Sequence, residues 1–160
     1  MDKRLKSRGF TLIELLIVVA IISILATLLM ANFIGVMQRA RDGQRKSDLR
    51  QIQSALELYR SDQGGYPLTA NFPSCGSPFT GGTSPNTVTY MQSVPCDPTT
   101  HTGYYYSSGG TNYCLRACLE NANDSQADPN LTPAPTFNSD CSNITTPCPT
   151  PDVNYTLQNP

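Results

Sequence analysis

Between residues 10 and 31 almost every side chain is apolar, and only Thr11, Glu14, Ser23 and Thr27 interrupt the run. At ~1.5 Å per helical residue, about 22 residues reach roughly 33 Å, enough to cross a hydrocarbon core of about 30 Å. The run therefore predicts a membrane-spanning helix. After Gly35 the pattern becomes one-sided. Leu49, Ile52, Leu56 and Tyr59, with Ala55 beside them, recur at spacings of three and four, while Arg50, Gln53, Glu57 and Arg60 face elsewhere. That stripe predicts a continuing amphipathic helix that carries a globular head. The helix stops at Gly64-Gly65-Tyr66-Pro67, where glycine suits a left-handed cap and proline cannot continue the helix. A helix over 11–63 would be about 80 Å long, with its own head covering only half of it.

From Leu68 onward Pro, Gly, Ser, Thr, Asn and Tyr dominate. Tyr104-Tyr105-Tyr106 and residues 113–119, separated by Ser107-Ser108-Gly109-Gly110, predict a β-hairpin, and 87–91 a weaker strand. The stretch after Glu120 is too rich in turn residues to assign strands. The fold class is α+β: a long N-terminal helix packed on a small antiparallel sheet with loops and disulfides. The boundaries are a leader at 1–9, a hydrophobic transmembrane helix at 10–35, an amphipathic helix at 36–63, and an extracellular loop, hairpin and tail at 64–160.

Charge fixes the orientation. Lys3, Arg4, Lys6 and Arg8 against Asp2 keep the N-terminus cytoplasmic, with everything after Ala31 outside. An ordinary secretory signal would have an apolar core of about 7–15 residues and a small-residue cleavage site. This run is longer and has no clean A-x-A site. Glu14 is then a carboxylate within a membrane span, at a cost of about 2.5–3.5 kcal/mol near the centre, and such a group needs a partner. A local alternative is a capping box, Thr11-x-x-Glu14, in which the carboxylate answers free N–H groups of the first turn.

Gly9-Phe10-Thr11-Leu12-Ile13-Glu14 after a short basic leader resembles the N-terminal signature of type IV prepilins and of the pseudopilins of type II secretion systems. The resemblance implies cleavage between Gly9 and Phe10 by a prepilin peptidase, N-methylation of Phe10, and delivery by an inner-membrane assembly platform. It implies self-association into a helical filament in which Glu14 pairs with the α-amino group of another copy's Phe10. Opposite charges in an apolar bundle offset one another's desolvation. The implied location is the bacterial inner membrane for the precursor, then a pilus or pseudopilus. The likeness continues to about Pro67. Where the family commonly has Pro-Asn, this chain has Ala31-Asn32-Phe33-Ile34-Gly35, so no proline kinks the helix. An alternative reading is a minor pilin or a membrane-tethered extracellular binding or adhesion domain.

Arg39, Arg41, Arg45, Lys46 and Arg50 against Asp42 and Asp48 make the start of the amphipathic helix basic. A solvated face is the ordinary reading; lipid headgroups and acidic parts of neighbouring subunits are the others. Nucleic acid is not favoured, because no aromatic residues interleave with these charges. The head is net acidic, with Asp97, Glu120, Asp124, Asp128, Asp140 and Asp152 against Arg116, and its thin core calls for staples.

Cys75, Cys96, Cys114, Cys118, Cys141 and Cys148 all follow the apolar run, which points to disulfides in an oxidising compartment. The spacing favours Cys75 with Cys96, and a return of one or both of Cys141 and Cys148 to the hairpin. Cys114 and Cys118 on one strand are too far apart to bridge each other. Zinc is the rival reading, with His101 the only histidine and no paired CxxC. Asn123, Asp124 and Asp128 supply hard oxygens in a loop, and the resemblance implies a calcium site in this C-terminal region, although the spacing matches no calcium loop. Asn-x-Ser/Thr triplets at Asn123, Asn130, Asn143 and Asn154 are put down to composition. No Ser-His-Asp pattern, phosphate loop or carboxylate pair in an apolar setting supports a reaction, so the chain reads as a structural subunit without an enzymatic cofactor.

Overall fold

The computed structural model describes residues 10–83, 85–128, 148 and 153–158. Helix α1 runs Leu12–Gln63, followed by a 3-10 turn at Thr69–Asn71 and strands β1 (Phe79–Gly81), β2 (Val88–Met91), β3 (Tyr105–Ser108), β4 (Tyr113–Leu119) and β5 (Val153–Gln158). By its contacts the chain divides into two units, up to Met37 and from Gln38 onward.

In the first unit the apolar side chains lie outward, from Phe10 at 90% exposure to Met37 at 41%. The hydroxyls in this run are satisfied by the helix itself: Ser23 Oγ donates to the Val19 carbonyl and Thr27 Oγ1 to that of Ile24, each at 2.8 Å. The expected membrane span is not shown, because no helix among the described residues is long and apolar enough to cross a membrane.

In the second unit Leu49, Ile52, Ala55 and Leu56 are all buried, as the spacing requires. They pack with Tyr66, Phe79, Val94, Tyr106, Tyr113, Leu115, Ala117, Leu119 and Tyr155 in one core. Few aliphatic residues are available, so rings fill the volume. Phe72 stacks on Tyr106 at 4.2 Å between centroids, and Tyr66 meets Tyr113 edge-on at 4.7 Å. Buried tyrosine hydroxyls need acceptors: that of Tyr106 donates to the Pro67 carbonyl at 2.6 Å, and that of Tyr66 to Glu57 at 2.9 Å.

The helix ends where glycine allows it. Gly64 takes φ +79°, and its N–H donates to the Arg60 carbonyl. Tyr66 N–H then donates to the Gly110 carbonyl at 2.8 Å, joining the end of the helix to the β3–β4 turn. The sheet order is β3-β4-β5, all antiparallel, with β1 and β2 a separate antiparallel pair. β4 and β2 lie where the pattern placed them, but Ser107 and Ser108, expected in the turn, belong to β3 and pair with Cys114 and Tyr113. β1 and β5 were not foreseen. β5 pairs along six residues of β4, from Cys114 opposite Gln158 to Leu119 opposite Val153.

Candidate functional site

Gly9 lies outside the described residues. Phe10 is 90% exposed and not helical, and Thr11 precedes the first helical residue. Glu14 closes a complete capping box: its Oε2 accepts from Thr11 N and from Thr11 Oγ1, each at 2.8 Å, and Thr11 Oγ1 accepts from Glu14 N at 3.3 Å. Both bonds that the carboxylate accepts use Oε2. Oε1 accepts no hydrogen bond among the described residues, so the cap leaves one carboxylate oxygen turned to the surroundings, one turn from Phe10.

A second constellation, which the sequence did not reveal, is centred on Arg45. Helical spacing sets Asp42 and Arg45 on one turn, and both are almost fully buried, at 1% and 3% exposure. Arg45 donates to Asp42 at 2.8 Å, to Asp97 through Nε at 2.7 Å, and to Thr99 and Glu120 at 2.9 Å each. Arg41 forms a two-bond pair with Glu120. Two of the three carboxylates also cap backbone. Asp42 accepts from the N–H groups of Glu120 and Asn121, and Asp97 from those of Thr99 and Thr100. Three segments remote in sequence, at 41–45, 97–100 and 120–121, are thus fixed to one guanidinium.

The charges respond accordingly. Burial opposes charge on Asp97, but bonds from Arg45 and two N–H groups outweigh it and hold its carboxyl at about 2. Glu120 is also held at about 2, first by the Arg41 bond, against burial, with Arg45 adding to it. Burial likewise works against Arg45, yet its three carboxylate partners keep it more firmly protonated than usual. Nearby, Tyr104 donates to buried Asp48 at 2.6 Å; burial and that carboxylate push the phenol well above its ordinary value. A 530 Å³ cavity lies beside this cluster, lined by Arg45, Asp97, Thr99, Tyr104, Arg116 and Glu120 among others.

These pairs correct the reading of the basic stripe. Arg41, Arg45 and Lys46 are bound by acids of the chain's own head, Glu120, Asp97 and Asp124, and are not a solvated face; Arg39 and Arg50 are exposed. Cys75 is bonded to Cys96, and Cys118 on β4 to Cys148. Cys114 is in a disulfide as well, and Cys141 lies outside the described residues. The bonded sulfurs of Cys75 and Cys96 are not thiolates for zinc, and His101 sits exposed in a turn with φ +55°. Of the calcium candidates, Asp124 binds Lys46, Asn123 is exposed, and burial raises the carboxyl of Asp128. No group of three or more Asp, Glu, His or Cys side chains among the described residues is placed to hold a metal. Asn154 lies within β5 opposite Cys118, and Asn123 in an exposed turn; Asn130 and Asn143 are outside the described residues.

Comparison with known proteins gives this geometry a setting. The chain is 39% identical over 64 residues to type II secretion system core protein G of Escherichia coli K12, covering 40% of this chain and 44% of that protein. Against the protein of the same name from Vibrio cholerae it is 36% identical over 69 residues, covering 43% and 47%. It is 42% identical over 66 residues to type IV major pilin protein PilA of Myxococcus xanthus, covering 41% and 30%. Each match spans less than half the length of the relative. No solved structure matches the chain. Residues 4–30 match the prokaryotic N-terminal methylation motif, which contains Phe10 and Glu14. Residues 32–127 match the type II secretion system protein G family, taking in the Arg45 cluster and strands β1 to β4, and the chain belongs to that family.

Proposed function

We propose that the chain is a structural subunit of a type II secretion pseudopilus or a closely related pilus. Its precursor is anchored at the membrane by the N-terminal apolar helix, cut between Gly9 and Phe10, methylated at Phe10, and polymerised through that helix. The observation that carries this reading is the methylation motif over 4–30, followed after one residue by a protein G family match over 32–127. The family is one of structural subunits, and nothing in the site calls for catalysis.

The geometry supports the parts that concern the helix and Glu14. An apolar helix with outward side chains and internally satisfied hydroxyls suits a surrounding of lipid or of other such helices. Glu14 meets two requirements at once, because Oε2 caps its own helix while Oε1 is left for the α-amino group of another copy. The Arg45 cluster fixes the segments at 97–100 and 120–121 to the helix at 41–45 within the second unit. Likeness to the Myxococcus xanthus pilin keeps the pilus as the second reading. The deciding experiment is intact-mass and N-terminal analysis of the chain recovered from sheared filaments. A methylated chain starting at Phe10 supports the proposal. A mature protein starting within residues 30–35 means conventional signal-peptide removal and overturns it.

A further inference from the structure

The loop after β4 carries the hard-oxygen residues that suggested calcium, yet the structure puts another cation there. Lys46 Nζ donates to Asp124 Oδ1 at 2.6 Å and to Gln126 Oε1 at 3.1 Å, and lies 5.6 Å from the centre of the Tyr155 ring on β5. Three elements, α1, the loop 121–128 and β5, therefore converge on one ammonium. Lys46 and Asp124 side chains are only 13% and 16% exposed. The loop is wound around the same point: Gln126 N–H donates to Asp124 Oδ1 at 2.8 Å, Ala127 N–H to the Asp124 carbonyl, and Asp128 N–H to the Asn154 carbonyl of β5 at 2.8 Å.

We propose that Lys46 is a tethered cation that organises this loop and holds it to β5, so that this head does without calcium here. Calcium takes about six to eight oxygen ligands at roughly 2.3–2.6 Å. The candidate oxygens do not supply such a set. Asp124 Oδ1 is already taken by an ammonium and an N–H group, and a divalent ion against the same oxygen would be repelled by the lysine. Asn123 is exposed, and no metal-competent cluster exists among the described residues. An ammonium on a rigid helix also needs no external supply, and its three N–H donors match a carboxylate, an amide oxygen and a ring face.

The test uses the full mature chain in mild detergent, with calcium and EGTA as probes. Thermal unfolding of the wild type should coincide, within about 1 °C, in EGTA and in millimolar calcium, and the dialysed protein should retain no stoichiometric calcium. Lys46→Met should lower Tm by about 5 °C in either buffer. Lys46→Arg, which keeps the charge, should recover most of that loss. A Tm of the wild type that rises by several degrees with calcium, or one calcium retained per chain, overturns the proposal. So does a Lys46→Met protein as stable as the wild type. If Lys46→Met does not accumulate, the wild-type calcium comparison and Lys46→Arg still decide the matter.

Discussion

Replacing Arg45 by methionine should unfold the head well below the wild-type temperature, and the reason can be worked from its contacts. The side chain is 4% exposed and bonds three carboxylates and a threonine hydroxyl. Methionine fills a similar volume but leaves Asp42, Asp97 and Glu120 without their shared cation. Removing one partner of a buried ion cluster costs about 3–5 kcal/mol. The lower end applies, because Asp42 and Asp97 keep two backbone N–H donors each and Glu120 keeps Arg41. At about 3–5 °C per kcal/mol for the unit from Gln38 onward, Tm should fall by roughly 9–15 °C. The assay is circular dichroism melting of the full chain in detergent, followed at wavelengths reporting tyrosine environments as well as helix.

The pH dependence of the same measurement has a definite sign. Asp97 and Glu120 are held at about 2, below the ordinary values of 3.8 and 4.5. Their contribution is therefore complete above about pH 5 and is lost as pH falls through those ordinary values toward 2. After allowance for solvent screening, each is worth about 1–2 kcal/mol. Wild-type Tm should thus drop between pH 5 and 2, and the Arg45→Met protein should show a shallower slope. A variant melting within about 2 °C of wild type, or one with an unchanged pH slope, would refute the view that this cluster seats the head.

Three further outcomes follow from the same contacts. Cys118→Ser with Cys148→Ser should cost about 2–5 kcal/mol and expose β5 amides to hydrogen exchange while amides of α1 near Leu49 stay protected; equal loss of protection in both would contradict this. Gly65→Ala should destabilise by about 1–3 kcal/mol, since an added Cβ would sit 2.9 Å from the Gly110 carbonyl oxygen that accepts from Tyr66, and a denaturant midpoint equal to wild type would exclude the clash. Alkylation of the unreduced, unfolded chain should label no cysteine among the described ones, and labelling of Cys75 or Cys96 would count against the disulfide-tied loop.

The parts of this fold that were legible in the sequence are those governed by short-range periodicity. The 3.6-residue stripe of Leu49, Ile52 and Leu56, the glycine stop at Gly64 and the hairpin about Ser107-Ser108-Gly109-Gly110 each declare themselves within about ten residues. β5 alternates apolar and polar from Val153 to Gln158, but lies in a tail of turn residues. Its strand state comes from pairing with distant β4 and from the Cys118–Cys148 link. β1 is three residues long, too short for a period to show. The Arg45 cluster was hidden for a different reason. Asp42 is its helical neighbour, but Asp97 and Glu120 lie 52 and 75 residues away, and nothing in a basic stripe reveals which charges the fold will bury. Glu14 stands between these cases. Its capping bonds to Thr11 were readable as Thr-x-x-Glu, and the partner proposed for it in another copy rests on the resemblance carried by the N-terminal motif.

That partner is the centre of the functional account, and filament incorporation of Glu14→Val tests it most directly. The substitution removes a costly carboxylate from an apolar helix, so membrane insertion should be preserved or improved, with cleavage before Phe10 and disulfide formation unchanged. Losing the cap alone would cost about 1 kcal/mol, which a long helix can absorb. When tagged Glu14→Val and wild-type chains are co-expressed and sheared filaments are quantified by mass spectrometry, the variant should be nearly absent from filaments while abundant in membranes. Filaments that contain the variant in proportion to its expression, or that form from Glu14→Val alone, would contradict the account and leave Glu14 a capping residue only.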